Sequence, residues 1–251
     1  MFTPWSFKDR LFTFIFGNPE RKKWALDLYN TLNESAHTDP EAVKITILED
    51  AICLGMVEDD FSFLISTTTN FCDSNIVYNP NMPAIFFMDA WKVYRAYEKD
   101  PDYGLDFDSD EPQTIPIIRM IYFYNGGKDD ADLQTLDIQD AFRGDEKADI
   151  NLKVRMFNIN YGNNTELLNS CPPLKDYALF IRHLRDLHTA APDIAMAAAV
   201  SAAIDKMPED NLLKPLLSEH QAEVTKMCVM EHEEYQVMTG ERDIEEFLPK
   251  D

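Results

Sequence analysis

Apolar residues recur along this chain at two spacings, and the switches between them predict the elements. Residues 7–16 and 19–34 carry helical spacing, split at Gly17, Asn18 and Pro19, with Trp24, Leu28 and Leu32 on one stripe of the second segment. Residues 44–56, KITILEDAICLGM, read as a strand leading into the next stretch. There Phe61, Phe63 and Ile65 alternate with polar or smaller residues at period two, as a half-buried strand does. The β-branched run TTTNFCD follows with little room for a turn. After YNPNMP the spacing becomes helical over 83–98, placing Phe86, Phe87, Ala90, Trp91, Tyr94 and Tyr97 inward and Asp89, Lys92 and Arg95 outward.

The second half repeats the alternation. TIPIIRMIYFY (114–124) reads as a strand halted by NGG, an acidic linker follows, INLKVRMFNINYG (150–162) reads as another strand, and 165–188 as a helix. TAAPD (189–193) marks a hinge to two helical segments, 194–206 and 211–238, the latter with an apolar stripe of Val224, Met227, Cys228, Tyr235 and Met238 that needs a partner surface. The pattern predicts an α/β core over 1–189, with a mixed central sheet flanked by helices, and an α-helical C-terminal module over 190–251.

Composition narrows the class. The 251 residues are 45% hydrophobic and 12% aromatic, enough for a sizeable core. The amino terminus carries Lys8, Asp9 and Arg10 inside its apolar stretch, so no signal peptide is expected; IAMAAAVSAAI is too short to span a bilayer, and a soluble cytoplasmic protein with no membrane partner is expected. Cys53, Cys72, Cys171 and Cys228 are scattered without CxxC spacing and read as reduced, packed thiols.

Charge changes the picture more. Against 23 basic residues stand 45 acidic ones, a net of −22, which repels phosphate at long range and disfavours general nucleic-acid binding. Residues 98–112, EKDPDYGLDFDSDEP, set seven carboxylates against one lysine, at spacings unlike an EF-hand. This reads as a solvated loop.

The chemistry with most promise lies in DDFSFLISTTTNFCDSN (59–75). Asp73 and Asn75 are two apart on a strand and share a face; with Asp60 alongside, two carboxylates and an amide oxygen form the oxygen-rich set that Mg²⁺ prefers. Acidic residues at strand ends are also ordinary solvated features. Asn158, Asn160 and Tyr161 read either as a cleft lining or, next to Gly162, as turn-formers. Nothing resembles a GxSxG elbow, a Gly-rich phosphate loop or a Walker sequence.

In order along the chain, FKDRLFTFIFGNPE, EDDFSFLI, YNPNMP with its aromatic helix, IYFYNGGKDD, MFNINYGNN with LLNSCPPLKDY, and EVTKMCVMEHEEY resemble the PD-(D/E)xK nuclease family transposases, the recombination-promoting nucleases often labelled Rpn. The resemblance implies a restriction-endonuclease-like core and a Mg²⁺- or Mn²⁺-dependent DNA endonuclease. It places Asp60 and Asp73 as metal ligands and Asn75 beside them, where the family often shows a Glu-His-Gln triplet. Each replacement is one methylene shorter and sets its ligating oxygen about 1.5 Å back. Ile85 stands where the family usually has an arginine, and no lysine occupies position 75 as general base. Lys92 on the next helix is the substitute, or else part of that helix's solvated stripe. Two functions follow: a DNA endonuclease of recombination or transposase type with a partly degenerate site, or an inactive nuclease-fold protein that binds another protein through its acidic surface, a DNA-mimic inhibitor being the sharpest version. The C-terminal helices suit a homo-oligomer contact.

Overall fold

The computed structural model describes residues 10–48, 60–65, 68–75, 78–99, 106, 108–126, 131–143 and 146–229. Six strands, β1 (Lys44–Leu48), β2 (Asp60–Ile65), β3 (Thr68–Asn75), β4 (Ile117–Tyr124), β5 (Leu133–Asp137) and β6 (Lys153–Asn158), form one open mixed sheet in the order β1-β2-β3-β4-β6-β5. β1, β2 and β3 make an antiparallel meander, β4 and β6 lie parallel to β3, and β5 closes the far edge antiparallel. A parallel neighbour requires a crossover, which α3 (Met82–Lys99) supplies between β3 and β4.

Alternation along the strands divides the side chains between two faces. The first face, with Phe63, Ile65, Cys72, Ile121, Phe123 and Phe157, packs against α1 (Arg10–Phe16), α2 (Lys22–Asn33), α4 (Thr165–Ser170), α5 (Pro172–Ala190), α6 (Met196–Asp205) and α7 (Lys214–Glu219). The second face, with Leu64, Phe71, Met120, Tyr122, Tyr124 and Met156, is covered by α3 through Met82, Ile85, Phe86, Val93 and Tyr97. Val200, Ala203, Ile204 and Leu217 of α6 and α7, with Val224 and Cys228 of a last helical stretch at 221–229, join the first-face core, so the apolar stripe docks on the sheet's helices. Tyr235 and Met238 lie outside the described residues. No described helix is long and apolar enough to cross a membrane.

Four local expectations are corrected. β2 is buried on both faces, since Ser62 and Leu64 are as enclosed as Phe63 and Ile65. The acidic linker contains β5, an edge strand with an exposed outer surface and hence no apolar signal, leading into a 3-10 helix at Ile138–Ala141 capped by Asp137. The helix expected over 165–188 is two: α4 ends at Ser170 and α5 restarts at Pro172 and Pro173, whose rings suit a first turn and would break an interior one. On α3, Phe87 and Trp91 are 47% and 51% exposed rather than inward, while Asp89 and Lys92 are half-buried. The buried stripe passes through Met82, Phe86, Val93 and Tyr97, whereas the aromatics of this helix extend well beyond one stripe.

Candidate functional site at the carboxyl ends of the central strands

β3, β4 and β6 are parallel, so their carboxyl ends share one edge, and the antiparallel β2 brings its first residue to that same edge. In open α/β sheets this is the edge where ligands are held. Phe61 stands opposite Cys72, and extending that register by one position sets Asp60 opposite Asp73. Directly opposed positions on an antiparallel pair have Cβ atoms about 5 Å apart on one face, a separation over which two carboxylates can share an ion. Asp73 follows Phe71 on the second face and is only 6% exposed. The backbone of Asn75 pairs with Tyr124 at the end of β3. The side chains of Asp60 and Asn75 lie outside the described residues.

β4 contributes a wall the sequence reading missed. Tyr122, the strand neighbour of Asp73, is fully enclosed, and its phenol oxygen accepts a hydrogen bond from the Asn79 backbone amide. Burial first, and then the negative charge of Asp73, push its phenol far above the usual tyrosine value, so it keeps its proton at neutral pH. Tyr124, two residues on, is equally buried and meets the Tyr78 ring edge-on at 6.2 Å between centroids. The YNPNMP segment explains the approach of α3. Asn79 Oδ1 accepts from the Asn81 amide at 2.9 Å, and the Asn81 carbonyl accepts from Ala84 and Ile85, so the helix starts beside Tyr122. The tyrosines at alternate positions of IYFY were the available signal: period two puts both on one face.

Lys92 is placed differently from the other candidates. It stands ten residues along α3 from Met82, about 15 Å of helix, and its ammonium lies 2.7 Å from Asp89. The structure thus gathers the positions of Asp60, Asp73 and Asn75 at one edge and gives Lys92 an ion pair on the helix.

A second polar group closes the same edge on the α5 side. Arg185 donates to Asn160 Oδ1 at 2.7 Å and to Asn125 Oδ1 at 3.3 Å, and Asn160 donates to Asn158 Oδ1 through its backbone and side chain. Asn158 is fully buried and Gly162 takes φ of +104°, so the FNINYG asparagines build the turn after β6. Asn125 was read only as the start of the NGG stop after β4, and Arg185 belonged to no recognisable motif.

Cys72, Cys171 and Cys228 are buried thiols outside any disulfide, and burial pushes Cys171 up to about 12, which removes it as a nucleophile. Among the described residues no group of three or more His, Cys, Asp or Glu is placed to hold a metal ion. The oxygen donors at the positions of Asp60, Asp73 and Asn75 nonetheless suit a hard cation. In comparisons with models of known protein families, with curated proteins and with solved structures, the chain matches none.

Proposed function

We propose that this chain is a divalent-metal-dependent DNA endonuclease of the PD-(D/E)xK recombination-promoting type, acting at the carboxyl edge of β3. The observation that carries the proposal is the β2–β3 register, which sets Asp60 opposite a nearly buried Asp73 beside the start of α3. The mixed sheet flanked by helices is compatible with the restriction-endonuclease-like core that the sequence resemblance implies. In this reading Asp60 and Asp73 hold Mg²⁺ or Mn²⁺, which offsets charge on a phosphodiester and makes water more acidic. Asn75 orients the water, and Tyr122, protonated at neutral pH, closes the site on its β4 side without adding charge. Lys92 is held by Asp89 in an ion pair along α3.

Plasmid nicking in Mg²⁺ and in Mn²⁺ tests this. Weak cleavage is expected, stronger in Mn²⁺, and lost in Asp60→Ala and Asp73→Ala variants whose circular dichroism is unchanged. Asp73→Glu combined with Asn75→Gln lengthens both ligands and should increase cleavage. A specific observation favours the alternative of a protein-binding function: Phe87, Met88 and Trp91 form an exposed apolar strip on α3 in a chain of net charge −22. If neither metal raises the melting temperature and the lengthened variant cuts nothing, that alternative replaces the nuclease.

A further inference from the structure

On the first face, at the opposite half of the strands from Asp73, two arginines reach the carboxyl end of α2. Arg119 on β4 donates through Nη1 to Asn33 Oδ1 at 2.8 Å, and Arg155 on β6 through Nη1 to the Leu32 carbonyl at 3.1 Å. Both acceptors are neutral. Among the described residues neither guanidinium has a carboxylate at ion-pair distance, in a chain where acids outnumber bases by 45 to 23. Burial, and then the like charge of Arg119, hold Arg155 below its ordinary value, with Cys72 and Glu34 opposing. The Arg155 Nη2 group is buried and has no hydrogen-bond partner among the described residues.

Asn70 adds the feature that helix capping does not explain. It is the strand neighbour of Arg119 on the same face, and its side chain is wholly buried. Neither Oδ1 nor Nδ2 has a hydrogen-bond partner among the described residues. Leaving such groups unmet is costly, more so beside an ionised one. The place therefore calls for acceptors toward Arg155 Nη2 and Asn70 Nδ2, a donor toward Asn70 Oδ1, and negative charge between two guanidiniums. A carboxylate, sulfate or phosphodiester offers acceptors only. A water molecule brings no charge. A protonated phosphate group brings all three, since it keeps a P–OH donor beside its anionic oxygens.

We propose that Asn70, Arg119 and Arg155 form a binding site for a protonated phosphate group, held between the sheet and the end of α2. The site lies on the opposite face from Asp73 and does not depend on the nuclease reading. It selects hydrogen phosphate over sulfate through Asn70 Oδ1 and draws its affinity from the paired guanidiniums. Because it joins α2 to β4 and β6, occupancy stabilises the fold.

The test is thermal unfolding of the full chain in low-millimolar inorganic phosphate and in sulfate at equal ionic strength. Phosphate at tenfold its Kd should raise the melting temperature by about 4 °C, and sulfate should leave it in place. Arg119 is exposed, so Arg119→Gln should fold and lose the response. Isothermal titration of the unmodified chain with inorganic phosphate gives a readout independent of any variant. Phenyl phosphate distinguishes the sources: a shift with both ligands assigns the site to phosphomonoesters, a shift with inorganic phosphate alone to the free ion. Equal shifts in sulfate and phosphate, no heat of binding, or an undiminished response in Arg119→Gln would each overturn the proposal.

Discussion

Asp176 shows how a single carboxylate can hold a loop and still weigh against the fold. Its Oδ2 accepts from the Leu212 amide at 2.7 Å, yet burial outweighs that bond and raises its pKa above the ordinary 3.8. The folded state therefore keeps this proton longer than the unfolded chain. Its contribution is fully present below the unfolded pKa and is lost as pH rises through the folded one, so at neutral pH the charge is a burden. Asp176→Asn, which keeps an oxygen acceptor, should hold or increase the urea midpoint at pH 7, whereas Asp176→Ala should cost about 1 kcal/mol. Tyr122 gives a second titration. Its contribution is present below pH 10, its ordinary value, and is lost as pH rises beyond it. Asp73→Asn removes the charge but not the burial, so tyrosinate absorbance should appear at lower pH in that variant, with the remaining tyrosines unchanged. That Asp73 and Asn75 belong to one strand was readable from the sequence. The partnership of Asp73 with Tyr122 was not, because it depends on a parallel pairing across a crossover of 41 residues (76–116) between β3 and β4.

At the scale of elements, α3 separates what periodicity reveals from what it leaves open. Its existence and ends were legible from the Pro-bounded start and the apolar run; its rotation was not, because Phe86, Phe87, Trp91, Tyr94 and Tyr97 are too many for one stripe. Only the sheet decides which of them turn inward. Phe86 is buried and meets the Phe71 ring at 4.8 Å, so Phe86→Ala should cost about 3–5 kcal/mol, while Trp91→Gln should stay within about 0.5 kcal/mol in urea unfolding. Equal effects would place Trp91 under cover. β5 was invisible for the opposite reason. An edge strand with Leu133 exposed and charged residues around it has the composition of a loop, and its pairing with β6 is a tertiary fact. The α4–α5 break, by contrast, was written in Cys171, Pro172 and Pro173.

At the scale of the whole molecule, the helices beyond Thr189 fill the same core as the sheet's first face. Truncation at Thr189 would remove Val200, Ala203, Ile204, Leu217, Val224 and Cys228 from that core, so the shortened chain should lose its cooperative melting transition in calorimetry. The meander also has a consequence in time. β2 and β3 are separated in sequence only by residues 66 and 67, so their pairing is local and fast, whereas Tyr122 arrives only after the crossover that α3 completes. During folding, Asp60 and Asp73 are thus set opposite each other before β4 covers them, and like charges in opposed positions slow that first step. Millimolar divalent cation, or Asp60→Asn, should raise the refolding rate that a stopped-flow chevron gives at zero denaturant while hardly moving the unfolding arm. An effect confined to unfolding would mean that the acids meet only after the sheet is built. Sequence separation thus sets the order in which this chain acquires its strands, charge at the proposed site sets the pace of the first pairing, and the ion that would serve the reaction would also hasten the birth of the site.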